Sequence, residues 1–131
     1  MTKDEIMALE GAELDAAVAT DVMGWESGSQ QTGNPDRPIW RDKIGGFTIC
    51  LAAAWCPHID WNDAMRARDA ALSRVVRGGE RCDRAATRMA NCLFEVLDAH
   101  RSIQWLKMQP TDICRAALLA VQGDAPCKPT T

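Results

Sequence analysis

Apolar residues recur every three or four positions in four stretches of the chain, which is the spacing of helices that bury one face. In the first stretch Leu14, Val18 and Val22 form one apolar stripe, and Gly24 offers a left-handed stop. In the last, Pro110 suits the first helical position because it has no amide hydrogen to leave unpaired. The pattern predicts helices over about 12–23, from Asp60 to Gly78–Gly79, over about 81–99 and from Pro110 to Gly123.

A capping pattern and a glycine divide the N-terminal segment. Thr2 followed by Glu5 is typical of a capping box, in which the hydroxyl and the carboxylate each bind a free amide at a helix start. The sequence therefore predicts a short first helix there, interrupted at Gly11.

The strand signals lie in the middle of the chain. Phe47 to Leu51 combines aromatic and β-branched residues behind a glycine pair, and Pro57 ends this segment. Residues 25–46 are dense in Gly, Ser, Asn, Gln and Pro, so we expect a long loop with a short edge strand around Pro38 to Asp42. Ile103 to Met108 fits a strand or an extended linker, because its alternation is incomplete.

These elements predict an α+β fold, with three to four helices packed around a sheet of two to four strands and with the first and last helices adjacent. At 131 residues one hydrophobic core is enough, because a chain of this size buries roughly two thirds of its surface on folding. Residues 1–123 are predicted to form a single domain. Residues 124–131 contain two prolines and no apolar periodicity, so they are predicted to be a flexible tail.

Charge and hydropathy narrow the class of protein. The net charge of −3 gives no general field for a nucleic-acid backbone, so sequence-specific nucleic-acid binding is not expected. No apolar run approaches the roughly 20 residues that span a bilayer, and the start of the chain lacks the basic and apolar segments of a signal peptide. We therefore expect a cytoplasmic protein that does not enter membranes and whose six cysteines stay reduced.

Three segments carry a recognisable pattern: ELDAAVATDVMGW at 13–25, PHIDWNDAM at 57–65 and ICRAALLAV at 113–121. In content, order and placement they resemble the phage ABA-sandwich family. The resemblance implies a small phage protein of obscure function, with helices packed around a small sheet and no established catalytic residues. Arg81 to His100 departs from the family, in which aromatic-rich strands are expected there, because its apolar spacing is helical.

Five tryptophans and no tyrosine make the aromatic content unusual. Trp25 and Trp61 each lie beside a turn and next to polar residues, where a planar ring can stack on a nucleobase for about 1–3 kcal/mol per base. The alternative for each is an anchor in the core or in an interface, the usual role of so large an apolar side chain.

Seven of the eleven arginines fall within residues 66–88. If residues 81–99 are helical, Arg81, Arg84 and Arg88 share the face opposite the apolar stripe, and their guanidinium groups suit bidentate binding of phosphate. The alternative is a solvated helix face paired with nearby acids.

No pattern of catalytic or metal-binding residues stands out. Cys50, Cys56 and His58 offer soft ligands, but their spacing matches no standard zinc finger, and a Cys–His nucleophile pair lacks a visible orienting group. Asp60 and Asp63 bracket a helix start, where capping is the usual role of a carboxylate. We expect no metal, no cofactor and no enzymatic activity.

Two functions remain as hypotheses. The first is a phage accessory protein that counters host defence by binding and blocking a host protein complex, through exposed tryptophan, methionine and arginine side chains. The second is a sponge that sequesters a nucleotide immune signal, a cyclic dinucleotide or an ADP-ribose derivative, between Trp25 or Trp61 and the three arginines of 81–99. Either function favours a homo-oligomer, since a small domain encloses a ligand best at a symmetric interface.

Overall fold

The computed structural model describes residues 1–30, 37–77, 79, 81–98 and 108–122. Within them the chain forms five α-helices, one π-helical turn, one 3-10 turn and one three-stranded sheet. The α-helices are α1 Lys3–Ala8, α2 Gly11–Ala17, α3 Trp61–Arg77, α4 Cys82–Asp98 and α5 Pro110–Val121. The strands are β1 Trp25–Gln30, β2 Arg37–Asp42 and β3 Thr48–Leu51, the π-helical turn is Val18–Val22 and the 3-10 turn is Ala52–Ala54.

The α+β class is confirmed, with one helix more than the three to four predicted. Thr2 accepts a hydrogen bond from the Glu5 amide at 3.2 Å, as the capping pattern predicted, and α1 starts there. Leu9 and Glu10 are extended, and Gly11 has a φ of +54°. This break separates α1 from α2, so the N-terminal segment contributes two α-helices.

The helix predicted over 12–23 changes its hydrogen-bond pattern half-way. The α-helical bonding of α2 ends at Ala17, and the Met23 amide binds the Val18 carbonyl five residues earlier, at 3.0 Å. Gly24, with a φ of +74°, ends the segment as predicted. The π-helical turn leaves carbonyls at its end that need donors from elsewhere.

Arg74 on α3 supplies such a donor. Its Nη1 donates to the carbonyls of Asp21 and Val22, the second at 3.4 Å. We expect Arg74→Ala to lower the free energy of unfolding by about 1–2 kcal/mol, because two carbonyls then lose a charged donor. Urea denaturation measures this change.

Arg68→Ala is the matched control for that experiment. The Arg68 guanidinium pairs with the neighbouring Asp69 at 2.9 Å, and both side chains are well exposed. Its removal should change the free energy of unfolding by less than about 0.5 kcal/mol. Equal losses in the two variants would contradict the role given to Arg74.

The strands lie in the order β1-β2-β3, and both pairings are antiparallel. Trp25 pairs with Asp42, and the pairing of β2 with β3 shifts register after Trp40. Two predictions were wrong: the strand around 38–42 is central and not at an edge, and β1 lies in the segment predicted as a loop. The β1 sequence WESGSQ carries one large apolar residue, so it shows no apolar alternation, and its pairing with β2 decides its structure.

Helix α5 is the centre of the helical layer. It contacts the other four α-helices and the π-helical turn, and nine of its twelve residues are buried. Helix α3 packs against it and buries Ala64, Ala67 and Ala71, whose small side chains permit close approach. The predicted contact between the first and last helices is confirmed, since α1 contacts α5 and Arg115 Nη2 donates to the Leu9 carbonyl at 2.8 Å.

The cysteines differ in state. Cys50, Cys56 and Cys114 are free thiols, and burial raises the pKa of the Cys114 thiol to about 12. Cys92 is disulfide-bonded, so the expectation that all six cysteines are reduced is wrong for this residue. Disulfides persist mainly in oxidising compartments, so this disulfide does not support the predicted cytoplasmic location. That location stays a prediction from the sequence.

Some predictions fall outside the described residues. They concern most of 103–108, Gly123 as the end of the last helix, and the tail 124–131. In the part of the chain that the structure describes, no helix has the length and apolar character needed to cross a membrane.

Candidate functional site

Residues 55–60 join the 3-10 turn to α3, and we call them the His58 loop. The chain turns sharply here, because the amides of Ile59 and Asp60 both bind the Cys56 carbonyl, at 3.1 and 2.9 Å. Pro57 is fully buried at the start of the turn. Side chains from α2, α3 and α5 hold this loop from three sides.

A carboxylate on α2 anchors His58. Asp15 Oδ2 lies 2.6 Å from His58 Nδ1, and Asp15 Oδ1 accepts a hydrogen bond from the His58 amide at 3.0 Å. From α5, the Thr111 hydroxyl donates to the His58 carbonyl at 3.0 Å. Asp15 is buried, whereas 26% of the His58 side chain is exposed. A carboxylate at Nδ1 makes this nitrogen the donor, so the other nitrogen, Nε2, is left to face outward.

Burial makes the charge on Asp15 costly. Loss of solvent raises the pKa of Asp15 above its ordinary value of 3.8, and the nearby Asp63 carboxylate adds to the rise. The hydrogen bonds and the charge of His58 lower the pKa of Asp15 but do not offset the burial. The pair therefore fixes the loop at a cost in electrostatic free energy.

Two further carboxylates hold the rest of the loop. Asp60 Oδ1 accepts hydrogen bonds from the amides of Asn62 and Asp63, at 2.8 and 3.4 Å, which confirms the capping role predicted for Asp60. Asp63 is buried and accepts a hydrogen bond from the Cys56 amide at 3.1 Å. The backbone on both sides of His58 is thus fixed by side chains of the helices beneath it.

Trp55, the first residue of the loop, is buried, with 2% exposure. Its indole Nε1 donates to the Asp15 carbonyl at 3.1 Å, and its ring meets Trp25 edge-on with the centroids 4.8 Å apart. The Arg66 guanidinium lies 5.6 Å from the Trp55 ring centroid, close enough for a cation–π contact. Trp55 therefore joins the loop to α2, β1 and α3.

Two large apolar side chains are exposed at the loop and at the start of α3. Ile59 is 67% exposed, and Trp61, the first residue of α3, is 43% exposed. Because the backbone around them is fixed, these two side chains stand on an ordered segment. We call Ile59 and Trp61 the apolar pair, and its composition is typical of a contact surface.

The structure places the residues predicted to bind a nucleotide in different surroundings. Trp25 is buried, so its faces are not open to a stacking base, whereas Trp61 is exposed. Arg81 and Arg84 are exposed near the start of α4, and Arg88 is half-buried. The guanidinium of Arg81 lies 3.2 Å from the Asp83 carboxylate.

Helix α3 separates the exposed tryptophan from these arginines. At a rise of about 1.5 Å per residue, α3 places Trp61 and Arg77 roughly 24 Å apart, and Arg81 follows the Arg77 end. The length of α3 therefore gives no support to a nucleotide site shared by Trp61 and Arg81.

Sequence reasoning did not single out Asp15, whose one signal is a carboxylate beside the apolar stripe of its helix. For the Cys56–His58 pair, Asp15 is the group that orients the histidine, which the sequence pattern did not reveal. The pair is still a poor nucleophile, because burial and the Asp15, Asp63 and Asp60 carboxylates raise the pKa of the Cys56 thiol. Among the described residues, no three His, Cys, Asp or Glu side chains are arranged to hold a metal ion.

A second exposed apolar surface lies at the tip of the β2–β3 hairpin. Ile44 is 98% exposed and Phe47 58% exposed. The Asp42 carboxylate accepts hydrogen bonds from the amides of Ile44 and Gly45 at 3.4 and 3.2 Å, so local contacts shape this tip. It offers an internal comparison for the apolar pair.

No protein-family model, curated protein or solved structure matches this chain. The likeness to the phage ABA-sandwich family therefore rests on the three sequence segments alone. A phage origin and a role against host defence stay predictions.

Proposed function

We propose that this protein is a non-enzymatic binding protein that blocks a partner protein with the outer surface of the His58 loop. The partner class that the sequence resemblance suggests is a component of a host defence complex. The observation that carries the proposal is the apolar pair, Ile59 and Trp61, exposed on a loop that three helices hold in place.

The side-chain chemistry supports a protein partner. Tryptophan is among the residues that contribute most to interface energies, because it removes a large apolar area from water while only two rotatable bonds become ordered. A neighbouring exposed isoleucine extends the same apolar contact. Isolated exposed apolar residues are common on protein surfaces, and what distinguishes these two is that they are two positions apart on a segment whose backbone is fixed.

Preorganisation supports the same surface. Binding is weakened when a loop has to become ordered, and this cost falls when the loop is already fixed. Asp15 and Asp63 accept hydrogen bonds from backbone amides of the His58 loop, and Thr111 donates one to its backbone. These side chains belong to three different helices, and they fix the loop before any partner arrives. The hairpin tip has only the local contacts of Asp42 among those that the structure describes.

We expect Trp61→Ala to weaken partner binding at least about 30-fold, because truncation of a central interface tryptophan costs about 2 kcal/mol or more. Immobilised wild-type and variant proteins are exposed to lysate of the bacterial host, and captured proteins are quantified by mass spectrometry. The affinity of the captured protein is then measured by biolayer interferometry.

Phe47→Ala is the control, since it removes an aromatic ring of similar exposure from the hairpin tip. It should leave both the amount captured and the affinity unchanged. Capture that survives Trp61→Ala, or that is lost to the same extent in Phe47→Ala, would contradict the proposal. Circular dichroism verifies that both variants stay folded.

A further inference from the structure

We propose that His58 is the polar contact of this binding surface, and that its Nε2 accepts a hydrogen bond from an ammonium or guanidinium group of the partner. This inference rests on the proposed function, because it names the chemistry that a partner presents at the same surface. The expected partner segment is a lysine or arginine side chain next to an apolar residue that covers Ile59 and Trp61.

The direction of the imidazole ring carries the argument. Asp15 accepts hydrogen bonds from both Nδ1 and the amide of His58, at 2.6 and 3.0 Å, so the ring has little freedom to turn. With Nδ1 on the buried carboxylate, the exposed quarter of the side chain includes the Nε2 side of the ring. Nε2 has no hydrogen-bond partner among the described residues. In the neutral ring it is a fixed acceptor that is open to a ligand.

The position of His58 puts this acceptor beside the apolar pair. His58 directly precedes Ile59, and three chain steps separate it from Trp61, so their Cα atoms lie at most about 11 Å apart. A lysine or arginine can lay its methylene groups along apolar surface while its charged end binds an acceptor. A basic side chain together with its apolar neighbour is therefore the segment expected to contact Nε2 and the apolar pair.

The surrounding charges favour a cation. The nearby carboxylates are Asp15 from α2, Asp63 from α3 and Asp60 in the loop itself. The nearby fixed cations are Arg66, which lies over the Trp55 ring and 3.7 Å from Asp63, and Arg115 on α5, which donates to the Leu9 carbonyl and acts on the Cys114 thiol. Three carboxylates against two guanidinium groups leave the surface negative when the imidazole is neutral.

Two thiols near these carboxylates add no positive charge. Burial is the largest cause that raises the pKa of Cys56 in the loop and of Cys114 on α5, and Asp15 and Asp63 raise both further. Both groups are therefore neutral thiols. The fixed charges at this surface are therefore those of the carboxylates and the guanidinium groups.

Protonation of His58 removes the acceptor. The hydrogen bond to Asp15 keeps one proton on Nδ1 in either state. A second proton therefore binds Nε2, which becomes a donor, and the ring becomes positively charged. A cationic group of a ligand then meets a donor of the same sign. Cation binding at Nε2 therefore requires the neutral imidazole.

NMR titration of the full-length protein with two small probes tests the proposal. Benzylammonium combines an apolar ring with a cationic donor, and phenylacetate combines the same ring with an anionic acceptor. At about pH 7.5 we expect benzylammonium to shift the Trp61 indole and His58 ring signals saturably, with at least about three-fold higher affinity than phenylacetate.

His58→Asn is the matched variant, because its amide nitrogen can still donate to Asp15 in place of Nδ1 while Nε2 is lost. It should keep the fold but lose the preference for benzylammonium. Trp61→Ala should weaken both probes alike. Equal binding of benzylammonium to wild type and His58→Asn, or a preference for phenylacetate at about pH 7.5, would overturn the proposal.

The two proposals fail separately. Absence of partner capture together with selective benzylammonium binding would contradict the blocking function and support the role of His58. Capture that depends on Trp61 but not on His58, together with unselective probe binding, would support the function and contradict the role of His58.

Discussion

Trp55→Ala is expected to lower the free energy of unfolding by about 3–5 kcal/mol. Trp55 is 2% exposed, and its ring contacts Trp25 edge-on and lies under the Arg66 guanidinium. Truncation removes these contacts, opens a cavity and takes the indole donor from the Asp15 carbonyl. Urea denaturation followed by far-UV circular dichroism measures the loss.

The control is the same chemical change at an exposed tryptophan. Trp61→Ala removes a side chain that is 43% exposed, so its cost should stay below about 1 kcal/mol. Trp55→Phe should fall between the two, because it keeps most of the apolar volume and loses the Nε1 donor. If Trp55→Ala costs no more than Trp61→Ala, the placement of Trp55 in the core is wrong.

Asp15→Ala is expected to lower the free energy of unfolding by about 2–4 kcal/mol and to loosen the His58 loop. The variant removes the acceptor of both the His58 amide and its Nδ1, and hydrogen bonds to charged groups are worth about 1.5–3 kcal/mol each, less where the partner is partly exposed. Hydrogen exchange of the amides of residues 56–60 should accelerate with it. Unchanged exchange in the loop would contradict the anchoring role of Asp15.

Asp15→Asn separates the hydrogen bond from the charge. Its side-chain oxygen can still accept from the His58 amide, so it should cost about half as much as Asp15→Ala. Because burial raises the pKa of Asp15 above 3.8, the folded protein holds this proton more tightly than the unfolded chain does. The part of the stability that depends on this proton is therefore complete below about pH 3.8 and is lost as the pH rises through the folded pKa, whereas the hydrogen bonds to His58 remain.

Unfolding curves across this range measure that loss directly. The free energy of unfolding of the wild type minus that of Asp15→Asn should fall as the pH rises from about 3.5, and should level off above the raised pKa. The subtraction removes the contribution of the other carboxylates. A difference that grows with pH would mean that His58 lowers the pKa of Asp15 more than burial raises it.

The sequence by itself determined the elements whose signals are local. Helices α3, α4 and α5 lie where apolar spacing predicted them, and Pro110 starts α5. The Thr2 cap of α1 and the stop at Gly24 were also predicted from residues a few positions apart. A helix depends on contacts between residues three or four positions apart, so a short window of sequence contains most of the information.

The tertiary structure decided the sheet, because strand pairing joins residues that no local pattern connects. The β1 sequence is polar and small, and it is a strand because β2 pairs with it over its whole length. Trp25 and Trp61 both lie beside turns in the sequence, yet Trp25 is buried against Trp55 and Trp61 is exposed. Which side of a turn faces the core depends on how distant elements pack against it.

The same reason accounts for what the sequence left out of the candidate site. Asp15 and His58 are 43 positions apart, and Thr111 is another 53 positions beyond His58. The sequence identified the exposed tryptophan and the helix-capping Asp60 as local features. Only the packing of α2, α3 and α5 brings a buried carboxylate to His58, because a contact between distant residues depends on the whole fold and not on the residues beside it.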